Sequence, residues 1–187
     1  MLIVNEKIIE TITIEGVDFT VIEKAKTIYA GFHSVAPDFE NEPDSGDTHN
    51  RFQKEHTKII DSVTSECMIC LSIGYNEWNW REKHDVIREV FHGKETGNIN
   101  QPEGIRVIEA LPRLLIRVKS TDAAWALTKK TIGADKPEWH MAPLFTLIEA
   151  LFCTPERGFK AGSDENLEIE YYNFDGTQYA AIPVRKI

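Results

Sequence analysis

The chain has 187 residues, 42% apolar and 27% charged, which suits a water-soluble globular protein of one medium domain or two small halves sharing a core. A formal net charge of -9 argues against nonspecific nucleic-acid binding and favours cationic partners, and no apolar run approaches the ~20 residues that span a bilayer. Three cysteines and an N-terminus without a basic-then-apolar leader argue against a disulfide framework and a signal peptide, so a cytoplasmic chain with reduced thiols is expected.

In chain order, residues 1–16 alternate in part (Ile8, Ile9, Ile12, Ile14) and read as a short strand or N-terminal arm. Val17–Glu23 and Thr27–Val35 read as strands joined through Lys24-Ala-Lys26. Pro37–Gly46 is acidic and turn-rich and reads as a weakly ordered loop. Asp47 or Thr48 is positioned to cap a helix running to Ser65, because Phe52, His56, Ile59, Ile60 and Val63 recur at helical spacing. Cys67–Tyr75 alternates as a strand, and Asp85–His92 as a weaker one able to pair with it. Gly93–Gly104 reads as a loop dividing the chain into halves.

The second half repeats the order. Ile105–Glu109 and Leu114–Lys119 read as strands around a turn at Pro112. Thr121 or Asp122 caps a helix through Trp125, Leu127 and Ile132, and Leu144–Phe152 is a short apolar helix. Pro155–Glu165 is a loop. Asn166–Val184 carries the strongest local signal, two alternating runs around Asp175-Gly176, which predicts a hairpin. The fold class that follows is α+β, two similar strand-helix-strand-strand halves with antiparallel sheets, the helices on one side.

The chemistry-bearing residues narrow from there. Cys67-Met-Ile-Cys70 lies on a strand, where positions three apart face opposite ways, so it is neither a zinc knuckle nor a redox pair. The six histidines, among them His92, show no paired ligand spacing, and no nucleophile elbow or phosphate loop occurs. No metal and no cofactor are expected. On the final hairpin, strand phase puts Leu167, Ile169 and Tyr171 on one face and Glu168, Glu170 and Tyr172 on the other. That second face is either a solvated surface or the floor of a cleft that receives a cation. Trp125 and Trp139 are placed to supply aromatic walls for such a cleft.

Glu170-Tyr-Tyr172, followed after a turn by Tyr179-Ala-Ala-Ile-Pro183-Val184, resembles the C-terminal signature of GyrI-like effector-binding domains. Pro102-Glu-Gly104 before Ile105–Lys119 is similar to that family's step into a central hairpin, and Tyr29-Ala-Gly31 to its opening hairpin. The segments Asn76–Lys83 and Gly133–His140 depart from the pattern. The resemblance implies a single domain of pseudo-repeat halves, about 17–93 and 104–187, around a central cleft for lipophilic cations or planar drugs. It also implies the buried-acid role for Glu170 and the accompanying tyrosine for Tyr172. The expected function is a standalone multidrug-type binder that sequesters or senses a small cationic, planar compound through Glu170, Tyr172, Glu168, Trp125 and Trp139. One rival is a hydrolase with Glu170 as general acid or base beside Tyr172. Another is an acidic interaction module for a protein partner such as gyrase or a regulator, with no direct nucleic-acid or membrane contact.

Overall fold

The computed structural model describes residues 6–36, 43–63, 66–73, 89–138, 140–162 and 167–187. The described strands are β1 (Glu6–Ile14), β2 (Val17–Lys24), β3 (Thr27–Val35), β4 (Cys67–Ile73), β5 (Glu89–Thr96), β6 (Arg106–Ala110), β7 (Arg113–Lys119), β8 (Phe159–Ala161), β9 (Leu167–Asn173) and β10 (Gln178–Lys186). The helices are α1 (Ser45–Glu55), α2 (Asp122–Ile132) and α3 (Ala142–Phe152). All pairings among these strands are antiparallel, in the order β1-β2-β7-β10-β9-β4-β5-β3-β6, with β8 beside the end of β10. The α+β class and its two strand-helix-strand-strand halves are thus present, β3-α1-β4-β5 and β7-α2-α3-β9-β10, joined where β4 pairs β9.

Strand period decides what each face of that junction holds. Cys67, Ile69 and Leu71 of β4 join Leu167, Ile169 and Tyr171 of β9 in one apolar cluster. Met68 and Tyr172, partners in register, turn to the other face, where the helices lie. There Phe52 of α1 shares a cluster with Ala30, Phe32 and Met68. Phe145, Ile148 and Phe152 of α3 share another with Phe19, Val118 and Ile182. Both helical cores reach Tyr172, so α1 and α3 flank the same central strands.

The sheet must curl. β2 and β3 are separated by five strands, a span of about 29 Å in a flat sheet. The connection from Lys24 to Thr27 reaches at most about 11 Å. The ends therefore fold toward each other around the cluster that unites Ile22, Tyr29, Phe91, Leu115 and Tyr171. Polar bonds close this face. Lys24 Nζ of β2 meets Glu95 of β5 at 2.6 Å and Glu6 of β1 at 3.2 Å, while Arg113 of β7 donates to Tyr29 Oη of β3 at 2.7 Å.

Several sequence expectations change. The strand pairs around Lys24–Thr27 and Pro112 are not hairpins: β2 pairs β1 and β7, whereas β3 pairs β5 and β6. Alternation predicts a strand but carries no information about its neighbour. The first helix is capped by Asp44, whose carboxylate accepts from Asp47 N at 2.8 Å, and it ends at Glu55 rather than Ser65. A 3-10 turn follows, then Ile59 turns extended and Asp61 takes a positive φ of 52°. The β-branched pair Ile59-Ile60 resists the helix, and Thr96 Oγ draws off the Ile60 carbonyl at 2.8 Å. Residues 93–96 belong to β5, not to a loop. Gly93 lies opposite Gly31, and a side chain on either would strike backbone across the strand pair and the Phe91 ring. These glycines permit close strand approach rather than breaking the strand. Pro155–Glu165 includes the short β8. The final hairpin forms around Gly176 at φ 86°, with Asp175 accepting from Thr177 N at 2.8 Å. Expectations for 37–42, 74–88 and Trp139 lie outside the described residues.

Candidate functional site

Between α1 on one side and α2 with the start of α3 on the other lies a cleft of about 580 Å³. Helix stop and start signals build one wall. Gly133, at φ 75°, terminates α2, and Pro143 sits in the first turn of α3. The chain between them cannot be helical throughout, and Lys136, Pro137, Glu138, His140 and Met141 line the cleft. The facing wall is the first half of α1, with Ser45, Gly46, His49 and Asn50. Met68, His92, Tyr172 and Gln178 come from the central strands, and Trp125 from α2.

Trp125 is held in place. Its indole N–H donates to Ser120 Oγ at 2.9 Å, and the Lys136 ammonium stands 6.0 Å from the ring centroid. Glu170 lies under the wall. Its Oε1 accepts from Met141 N at 2.7 Å and its Oε2 from the Tyr172 hydroxyl at 2.5 Å. α3 has no side-chain cap of its own, so the acid of β9 satisfies a backbone N–H at that helix start. Burial raises the Glu170 pKa, with the Tyr172 and Met141 bonds and His140 pulling the other way. Burial and the neighbouring Glu170 both push the Tyr172 phenol upward, so it stays a donor.

His92, on β5, is 5% exposed, and its Nδ1 lies 2.8 Å from Thr48 Oγ in the first turn of α1. The His49 ring meets it edge-on at 5.5 Å. Burial, aided by His49, lowers the His92 pKa to about 4, so the ring is neutral at physiological pH. Among the described residues no group of three or more His, Cys, Asp or Glu is placed to hold a metal ion. No described helix is long and apolar enough to cross a membrane, which leaves strands unaddressed.

Of the site residues expected from sequence, Trp125 and Tyr172 line the cleft. Glu170 faces the same side but reaches the cleft through Tyr172. Glu168 is buried opposite Ser72 of β4 and is not among the lining residues. Trp139 is outside the described residues. Cys67 joins the apolar cluster on one face of β4, while Cys70 is raised in pKa by burial and by Glu170 on the other. Sequence reasoning missed His49, His92 and Met68 as site residues. The phase of the strand read over Asp85–His92, with Val90 and His92 two apart, was a usable signal, but nothing local shows that α1 lies over that face.

Compared by sequence, the chain matches no family model and no curated protein. Compared by structure, it resembles the C-terminal domain of EcmrR, with a TM-score of 0.53 and 10% identity over 91% of this chain and 99% of that one. It also resembles EcmrR in a DNA complex within EcmrR-RPo, at 0.54 and 13%, over 93% of this chain but 59% of that chain. An integron cassette protein from the mobile metagenome of Vibrio cholerae aligns over 89% of this chain and 95% of its own, at 13% identity and a TM-score of 0.47. At these identities the two EcmrR structures bear on the fold alone, and that fold is consistent with a GyrI-like one.

Proposed function

We propose that the chain is a small-molecule-binding protein whose central cleft takes a planar, lipophilic, cationic compound, either to sequester it or to sense it. The observation that carries this reading is that Trp125 and Tyr172 line one cleft while Glu170 is bonded behind Tyr172. A fixed indole walls a cleft of about 580 Å³, within the ordinary range for ligand sites, which is also lined by a phenol bonded to a buried carboxylate. An aromatic wall attracts a flat cation, and pairing with that cation favours the charged form of the acid behind it. Sensing is supported by the EcmrR likeness, since a domain of this fold occurs there in a protein that forms a complex with DNA. The hydrolase reading fits less well, because both Glu170 oxygens already accept hydrogen bonds and the carboxylate is not on the cleft wall.

Calorimetry with a matched planar cation and neutral analogue, on the parent and on Glu170→Gln, is the direct measurement. Because Tyr172 stands between the acid and the cleft, the variant is expected to weaken the cation by roughly 1–2 kcal/mol and leave the neutral compound nearly unchanged. Equal losses for both compounds would make Glu170 a support for the α3 start and remove charge recognition from the reading. Absence of binding by either compound to the parent would remove the cleft reading itself.

A further inference from the structure

We propose that His92 presents an unprotonated Nε2 to the cleft as the acceptor for an N–H donor, so that the cleft selects planar cations bearing N–H groups over fully alkylated ones. This rests on the cleft being the ligand site and names the atom that would read the ligand.

The argument turns on one hydroxyl proton. Thr48 Oγ lies 3.0 Å from the Ser45 carbonyl oxygen, 3.5 Å from that of Asp44 and 2.8 Å from His92 Nδ1. Carbonyl oxygens only accept, so an oxygen held 3.0 Å from one must place its proton there or suffer lone-pair repulsion. The Thr48 proton is then committed to the backbone, and the third neighbour has to donate. Nδ1 therefore carries the imidazole proton, which leaves Nε2 with a free lone pair. Burial keeps the ring from taking up a second proton.

His92 is 5% exposed and lines the cleft, and its only hydrogen bond among the described residues is the one to Thr48. An acceptor on a cleft-lining side chain with no protein partner is best satisfied by a guest or by water. Among the described residues no protein donor is hydrogen-bonded to Nε2, and its cleft-lining neighbours include the apolar Met68 and the ring of His49, 5.5 Å away between centroids. A flat cation that stacks near Trp125 and turns an amino group toward β5 would meet that lone pair. A cation of the same shape with every N–H methylated would leave it unpaired and crowd it.

The probes are 1-methyl-4-aminoquinolinium and 1-methyl-4-(dimethylamino)quinolinium, equal in charge and different in N–H content. Calorimetric titration of the parent is expected to favour the amino compound by about tenfold. His92→Asn keeps a donor near Thr48 but removes the acceptor, and should bring the ratio close to one by weakening the amino compound alone. Imidazole 15N spectra of the parent, which need no variant to fold, should show Nδ1 protonated and an Nε2 signal that shifts with the amino probe only. A ratio near one in the parent, a ratio preserved in His92→Asn, or an Nε2-protonated ring would each overturn the proposal while leaving the cleft reading in place. Failure of both probes to bind the parent would overturn the two together.

Discussion

Single side chains in this cleft gain their character from burial and from one partner each. His92 shows what that costs. In the unfolded chain it takes a proton near its ordinary value, while in the fold it resists until about 4. Between those values the unfolded state binds more protons, so stability falls as pH drops through that window and the loss levels off below it. The loss attributable to His92 is up to roughly 3 kcal/mol. Denaturant melts of the parent and of His92→Gln between pH 7 and 4 should show the gap between them shifting in the variant's favour as the solution is acidified. Parallel curves would mean that the ring is solvated in the folded state. Glu170 has the opposite sign, because its raised pKa makes the folded state the better proton acceptor and stability falls as pH rises through it.

At the scale of elements, the curled face is closed by charge rather than by strand pairing. Lys24 is fully buried between Glu95 and Glu6, and Arg117 meets Glu6 at 2.9 Å. Burial raises the Glu95 pKa against the pull of Lys24. Removing the cation by Lys24→Met takes the 2.6 Å ion pair from the buried Glu95, with an expected cost of about 3–5 kcal/mol. Lys24→Met with Glu95→Gln should recover much of it, and urea melts of the four-member cycle measure this. A loss below about 1 kcal/mol in the single variant would show that water already reaches the cluster. None of this was legible from sequence, because Lys24 reads as a turn residue between two strands. What was legible rested on local chemistry: the Asp175-Gly176 hairpin, the Thr121 cap, and the strand phase that set Glu170 and Tyr172 on one face. Residues whose position depends on strand order escaped, since periodicity is blind to which strand lies alongside. His92 could not be joined to Thr48 until α1 was known to lie over β5.

Over the whole molecule, neither half is complete without the other. β2 precedes the first half in sequence but pairs β7 of the second, and β6 lies at the far edge beside β3. Cutting the chain within 98–100 would take β7 from β2 and β9 from β4 in one fragment, and in the other would leave β6 without β3 and β9 without β4. Each fragment alone should lack a cooperative melt, and an equimolar mixture should regain one, followed by circular dichroism. A fragment that melts cooperatively by itself would contradict this interdependence. The two short crossings that produce it, at Ala25-Lys26 and Leu111-Pro112, also bear on how a guest enters. They act as paired tethers that oppose any clamshell swing of one half against the other. On the α3 side the wall is tied to β9 by the Glu170–Met141 bond, so any widening of the cleft there has to break that bond first.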